Sequence, residues 1–83
     1  MSKFNNDGIG YTSAAAVTPN NSTELDINAF FVGVGGDVAI QTASMAAAVT
    51  LKNCISGVIY PIQGKAIKIM STNTTATNIV GLV

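Results

Sequence analysis

The chain has 83 residues and no formal net charge; four lysines balance four acids, charged residues make up only 10% of it, and it has no histidine and a single cysteine. An ordinary soluble domain carries about 25% charged residues; here Thr, Asn and Ser supply the polarity instead. These totals exclude an electrostatic footprint for nucleic acid, a histidine base or metal ligand, an internal disulfide and a cysteine-type zinc site.

Residues 1–28 form an expected extended N-terminal arm. Asn5–Gly8 and Thr18–Ser22 are turn-type clusters. Pro19 pushes Thr18 toward an extended conformation, and the Ala-rich run at 13–17 is too short to hold a helix alone. One short edge strand is expected at Ala14–Thr18. Phe4, Ile9, Tyr11, Val17, Leu25 and Ile27 are too few for a core of their own and too many for a solvated tail. They are the expected interface residues, with the arm's free backbone groups able to add a strand to a neighbouring sheet edge.

Residues 29–83 read as a β domain. Phe30–Val34 and Val38–Thr42 are runs of β-forming residues separated by Gly35–Gly36–Asp37, which predicts a hairpin with a glycine turn and Asp37 as a turn residue. Ala47–Lys52 alternates, Asn53–Gly57 is a loop, and Val58–Ile62 contains Pro61, which places that strand at a sheet edge or a bulge. Gln63–Gly64 turns the chain into Ala66–Ser71, Ser71–Ala76 is a loop, and Thr77–Val83 is the last strand. About six short strands at such spacing predict an all-β fold, a small antiparallel β-sandwich or barrel. The expected core is Phe30, Val32, Val38, Ile40, Val49, Leu51, Ile59, Ile67, Ile69, Ile79 and Val80.

No group of residues presents a reaction. Gly33–Asp37 is followed by a strand pattern, whereas a phosphate cradle leads into a helix. Asp7, Glu24 and Asp26 lack the alternating oxygen ligands of a calcium loop. Cys54 has no base beside it and is expected to be a small, partly buried and dispensable loop residue. Ser56 with Lys52 or Lys65 is not a diagnostic pair. The sequons at Asn21 and Asn73 are of the kind that a Thr/Asn-rich chain produces by chance. No catalytic residue, cofactor or metal is expected.

The chain opens on Met and is expected to be a complete product. It has no apolar run near the roughly 20 residues of a spanning helix, and Asn5–Gly8 interrupts any export signal. It is therefore expected to be soluble, with no membrane partner. A chain this short makes a marginal core by itself, and low charge suits covered surfaces. A homo-oligomer or a protein docked on a larger assembly is expected, the alternative being a small monomer with a Thr/Asn-rich surface.

Five segments carry a resemblance: AAAVTPNNSTEL (14–25), FFVGVGGDVAI (30–40), VTLKN (49–53), YPI (60–62) and TTATNIVGL (74–82). In this order and spacing the chain resembles the small head-spike base proteins of tailed phages and gene transfer agents. It departs from their pattern at Asn21, in the loop 53–57, at Gln63, Lys65 and Lys68, and at Val83. The resemblance implies a non-enzymatic structural protein of the virion, on the capsid surface and assembled in the host cytoplasm. It would act as the base that anchors a head spike or fibre. The implied partners are further copies of the chain (a pentamer being one form), the major capsid protein and a spike or fibre protein, with no nucleic acid. Two other readings stay beside it. One is a capsid decoration or cement protein; the other is a carbohydrate- or cell-surface-binding module, for which a chain with two Tyr and no Trp is poorly equipped.

Overall fold

The computed structural model describes residues 11–62 and 65–83. Phe4, Ile9 and the turn expected at Gln63–Gly64 lie outside the described residues. Seven strands and no helix occur among those described: β1 (Ala14–Val17), β2 (Ala29–Val34), β3 (Gly36–Gln41), β4 (Val49–Cys54), β5 (Val58–Pro61), β6 (Lys68–Ile69) and β7 (Thr77–Leu82). They form two antiparallel sheets, one of order β1-β7-β2-β5 and one of order β4-β3-β6. The fold is a small all-β sandwich, as the alternating runs and turn spacing predict.

The core lies between the sheets. Phe30 and Val32 of β2, Ile79 of β7, Val38 of β3 and Ile67 and Ile69 around β6 are almost fully buried. Phe30 stacks on Tyr60 with ring centroids 5.5 Å apart. Pro61 sits on the edge strand β5, opposite Ala29, at the place in a sheet where a missing N–H costs least.

Three expectations are corrected. First, β2 and β3 do not pair as a hairpin; the chain leaves one sheet at Val34 and enters the other at Gly36. None of Gly33, Gly35 and Gly36 has a positive φ. They are needed for close approach: a Cβ on Gly35 would stand 2.6 Å from the Cys54 carbonyl oxygen, and one on Gly36 would stand 2.8 Å from the Ala76 nitrogen. Asp37 is accordingly no turn residue. It sits in β3 where the register with β4 shifts between Gly36 and Val38.

Second, the core differs from the expected one. Val49 and Ile59 are exposed, Ile40, Leu51 and Val80 are half-buried, and Ile27, Cys54 and Ala76 complete the interior. Third, Cys54 is not a loop residue but the buried last residue of β4.

The segment before β2 runs along the sandwich. β1 pairs with β7 from Ala14↔Leu82 to Val17↔Ile79, and Leu25 forms an isolated bridge with Ile67. Asn20 caps its own turn by accepting the N–H groups of Ser22 and Thr23.

Candidate functional site

The interface residues expected from the sequence are dispersed. Tyr11 is exposed, Val17 and Leu25 are half-buried and pack against the core, and Ile27 is buried. Gly81 makes room for Ile27: a Cβ there would come within 2.7 Å of the Ile27 methyl.

The polar side chains hold the backbone in place. Asp37 is the densest node. Its Oδ1 accepts the Asn53 N–H at 3.1 Å and its Oδ2 lies 3.3 Å from Lys52 Nζ. The backbone hydrogen bond from Asn53, then the Lys52 ammonium, holds the Asp37 carboxyl below its ordinary value. The Asp37 N–H donates to Thr75 Oγ1 at 2.9 Å, and its carbonyl accepts from Thr75 and Ala76. Thr74 Oγ1 accepts from the Ala39 N–H at 3.0 Å. β6 covers only Ile40 and Gln41 of β3, so the two threonine hydroxyls serve as partners for the donors that remain.

Ser56 Oγ accepts the Gly35 N–H at 2.6 Å, and Asn21 accepts the N–H groups of Ser71 and Thr72, so both side chains have structural uses. The Cys54 thiol is pushed up by burial and, secondarily, by Asp37, which keeps it protonated and unreactive. Among the described residues no three His, Cys, Asp or Glu side chains stand together as metal ligands. No helix there is long and apolar enough to cross a membrane. Two neighbouring depressions of about 350 and 280 Å³ share Glu24 and Ala66 and are lined by Lys65 and Lys68 respectively. No polar or charged side chain among the described residues is buried, so neither depression holds a desolvated group poised for chemistry.

The two outer faces of the sandwich differ more than any cavity does. On the β4-β3-β6 sheet, Val38, Ile40, Leu51 and Ile69 point inward, and the register places Gln41, Thr50 and Lys68 on the other face. Lys52, 72% exposed, follows Thr50 on that face. This is the polar outside normal for an antiparallel sheet. The β1-β7-β2-β5 sheet contains no charged residue in any strand. Its register aligns Ala16, Val80, Phe31 and Ile59 across all four strands on the outer face, with Ala14, Leu82, Ala29 and Pro61 as the next row. Both rows are wholly apolar. Sequence reasoning missed this face because it assigned Ile59 and Val80 to the core. Phe30–Phe31–Val32 was the available signal, since a strand apolar at consecutive positions has both faces apolar.

The sequence matches no protein-family model and no curated protein. Among solved structures it is similar to a chain of the capsid of the native GTA (gene transfer agent) particle, computed with C5 symmetry. The identity is 28%, the TM-score is 0.75, and the match covers 89% of this chain and 84% of that one.

Proposed function

We infer that the protein is a non-enzymatic structural component of a phage-like or gene-transfer-agent particle, carried on the capsid surface. The observation that carries this reading is the likeness to a chain of the GTA capsid, which spans nearly the whole of both chains. In the finer reading it is the base that anchors a head spike or fibre. It would assemble in the host cytoplasm with copies of itself, the major capsid protein and the spike or fibre protein. Residues 29–83 are the body and residues 1–28 the arm that contacts neighbours, with Tyr11 exposed for that purpose. An uncharged apolar face, together with polar side chains that serve backbone geometry, supports a role in packing.

The test is to prepare particles from a genome lacking this chain, add the purified protein back and image the particles by electron microscopy. The reading expects bound protein at the foot of each spike and spikes lost without it. Protein spread over the whole lattice would support the decoration reading instead. Particles that bind none and keep their spikes would overturn the virion assignment.

A further inference from the structure

Each sheet ends in two edge strands, and the edges are guarded unequally among the described residues. β6 is covered by the segment that follows β1. The Asn20 N–H donates to the Ile69 carbonyl at 2.8 Å and the Leu25 N–H donates to the Ile67 carbonyl at 2.6 Å. β4 carries Lys52 and a register shift against β3, and lysines and bulges are among the means by which edges avoid pairing. β5 carries Pro61, which removes one donor and leaves the rest of that edge intact. β1 has no guard: Ala14, Ala15 and Ala16 are exposed, and the strand holds no charge, proline or glycine.

The ladders show which backbone groups stay open. Ser13 and Val83 exchange both hydrogen bonds, at 3.1 and 3.0 Å. Bonded pairs alternate along an antiparallel ladder. Ala15 and Val17 therefore bond to Gly81 and Ile79, and Ala14 and Ala16 direct N–H and C=O away from the sheet. On β5, the other edge of the same sheet, the Ile62 N–H donates to the Asn28 carbonyl at 3.0 Å. Tyr60 and Val58 are then the residues bonded to β2, and the Ile59 N–H and C=O and the Pro61 C=O point outward.

These two edges fit each other. Neighbouring strands in the sheet are all antiparallel, so β5 of one copy meets β1 of the next antiparallel when the strand order simply continues. In the register that continues the rows, Ile59 and Ala16 exchange N–H and C=O, and the Ala14 N–H donates to the Pro61 carbonyl. Directly opposed residues share a face, and all four of these side chains lie on the outer face. Neither edge brings a charge that the other must neutralise.

We propose that β1 of one copy adds to β5 of the next, head to tail, so that one sheet continues from subunit to subunit around a ring. The edges lie on opposite flanks of the sandwich. The segment after β1 crosses to β6, whereas β5 stands beside the end of β4, with the Ile55 N–H donating to the Tyr60 hydroxyl. A contact between two different edges is heterologous and can close a ring, where a two-fold contact stops at two copies. The proposal deepens the oligomeric part of the reading above and rests on it only to that extent.

The experiment follows the purified full chain across a dilution series by sedimentation, with hydrogen exchange measured at the same concentrations. The wild type is expected to pass from single copies to a ring of one fixed number, greater than two. The Ala14, Ala16 and Ile59 amides are expected to exchange fast in single copies and slowly in the ring. Ala16→Pro and Ile59→Pro each remove an outward N–H and leave the chain's own ladder intact. Each is expected to stay single, with an unchanged β-sheet circular dichroism spectrum. Mixed in equal amounts they are expected to form pairs of one copy of each and to grow no further, because one intact β1 edge and one intact β5 edge remain. A wild type that stays single, stops at two copies or grows without limit would overturn the proposal. So would an Ala16→Pro protein that forms the ring, or a mixture that does not pair. Slow exchange at Ala14 and Ala16 in single copies would also overturn it, since the chain would then cover β1 itself. None of these results bears on whether the protein binds particles, which the add-back experiment reads separately.

Discussion

At the scale of single residues, the glycines and Asp37 show how little of the fold tolerates a change of shape. Gly35 carries the chain from one sheet to the other against the Cys54 carbonyl, and its N–H is held by Ser56. Gly35→Ala places a methyl group against backbone, which cannot swing aside, and is expected to destabilise the fold by about 1–3 kcal/mol. Gly57 makes the useful contrast. Nothing lies within 4 Å of its missing Cβ, but its φ is +82°. Gly57→Ala is expected to cost about 1–2 kcal/mol from backbone conformation alone. Urea denaturation of both variants checks the pair, and a neutral Gly35→Ala would refute the close-approach argument.

Asp37 gives a dependence on pH. Its carboxyl titrates lower in the folded chain than in the unfolded one, so the unfolded state binds the proton first as pH falls. The stabilisation is fully present above the ordinary carboxylate range and is lost as pH drops through the lowered folded value. The Lys52 partner is 72% exposed, so the ion pair itself contributes little; the Asn53 N–H is the stronger contact. Urea midpoints measured from about pH 6 down to about pH 2 are expected to fall less steeply for Asp37→Asn than for the wild type. Equal slopes would show that the Asp37 hydrogen bonds do not distinguish the two states.

At the scale of elements, the segment 71–76 does the work of a missing strand. β6 is two residues long, and beyond it no strand among the described residues pairs with β3 on that side. Thr74 and Thr75 supply side-chain oxygens where a strand would supply carbonyls. Ala39 is buried, so its N–H cannot turn to water when Thr74 is changed. Thr74→Val keeps the shape, removes the acceptor and is expected to cost about 1–3 kcal/mol. Thr74→Ser is expected to restore most of that loss, and faster hydrogen exchange at Ala39 in the Val variant would locate the effect.

The elements also show which features are legible in a sequence of this kind. Strand positions were, because Val38–Thr42 and Ala66–Ser71 alternate and these runs and Thr77–Val83 are separated by turn formers. The edge position of β5 followed from Pro61. Sheet membership was not legible at Val34–Asp37, since a glycine that permits a turn and a glycine that admits a neighbouring backbone are the same letter. Val49 has the inward parity of Leu51 but is exposed at the start of the edge strand β4, and core assignment failed at Ile59 for another reason. Alternation identifies the inner face only when the outer face is polar, and on β5 it is apolar too. The contribution of Ile27 to the core depends on the absence of a side chain at Gly81, a contact between positions 54 residues apart that no local pattern displays.

At the scale of the whole molecule, charge is segregated. Every charged residue among those described lies outside β1, β2, β5 and β7, and Lys52 and Lys68 sit on the sheet that faces away from them. Association through the uncharged sheet and association through the lysine-bearing one would respond oppositely to salt. Screening shortens to about 3 Å in 1 M salt, which weakens contacts between exposed charges. Burial of apolar surface is not weakened that way, and sulfate strengthens it by exclusion from the protein surface. Self-association is therefore expected to persist from about 0.05 to 1 M sodium chloride and to tighten in ammonium sulfate. Sedimentation at one protein concentration across both salt series checks this. Copies that separate in moderate sodium chloride would mean that the lysine-bearing face makes the contact and that the apolar sheet is left to another partner.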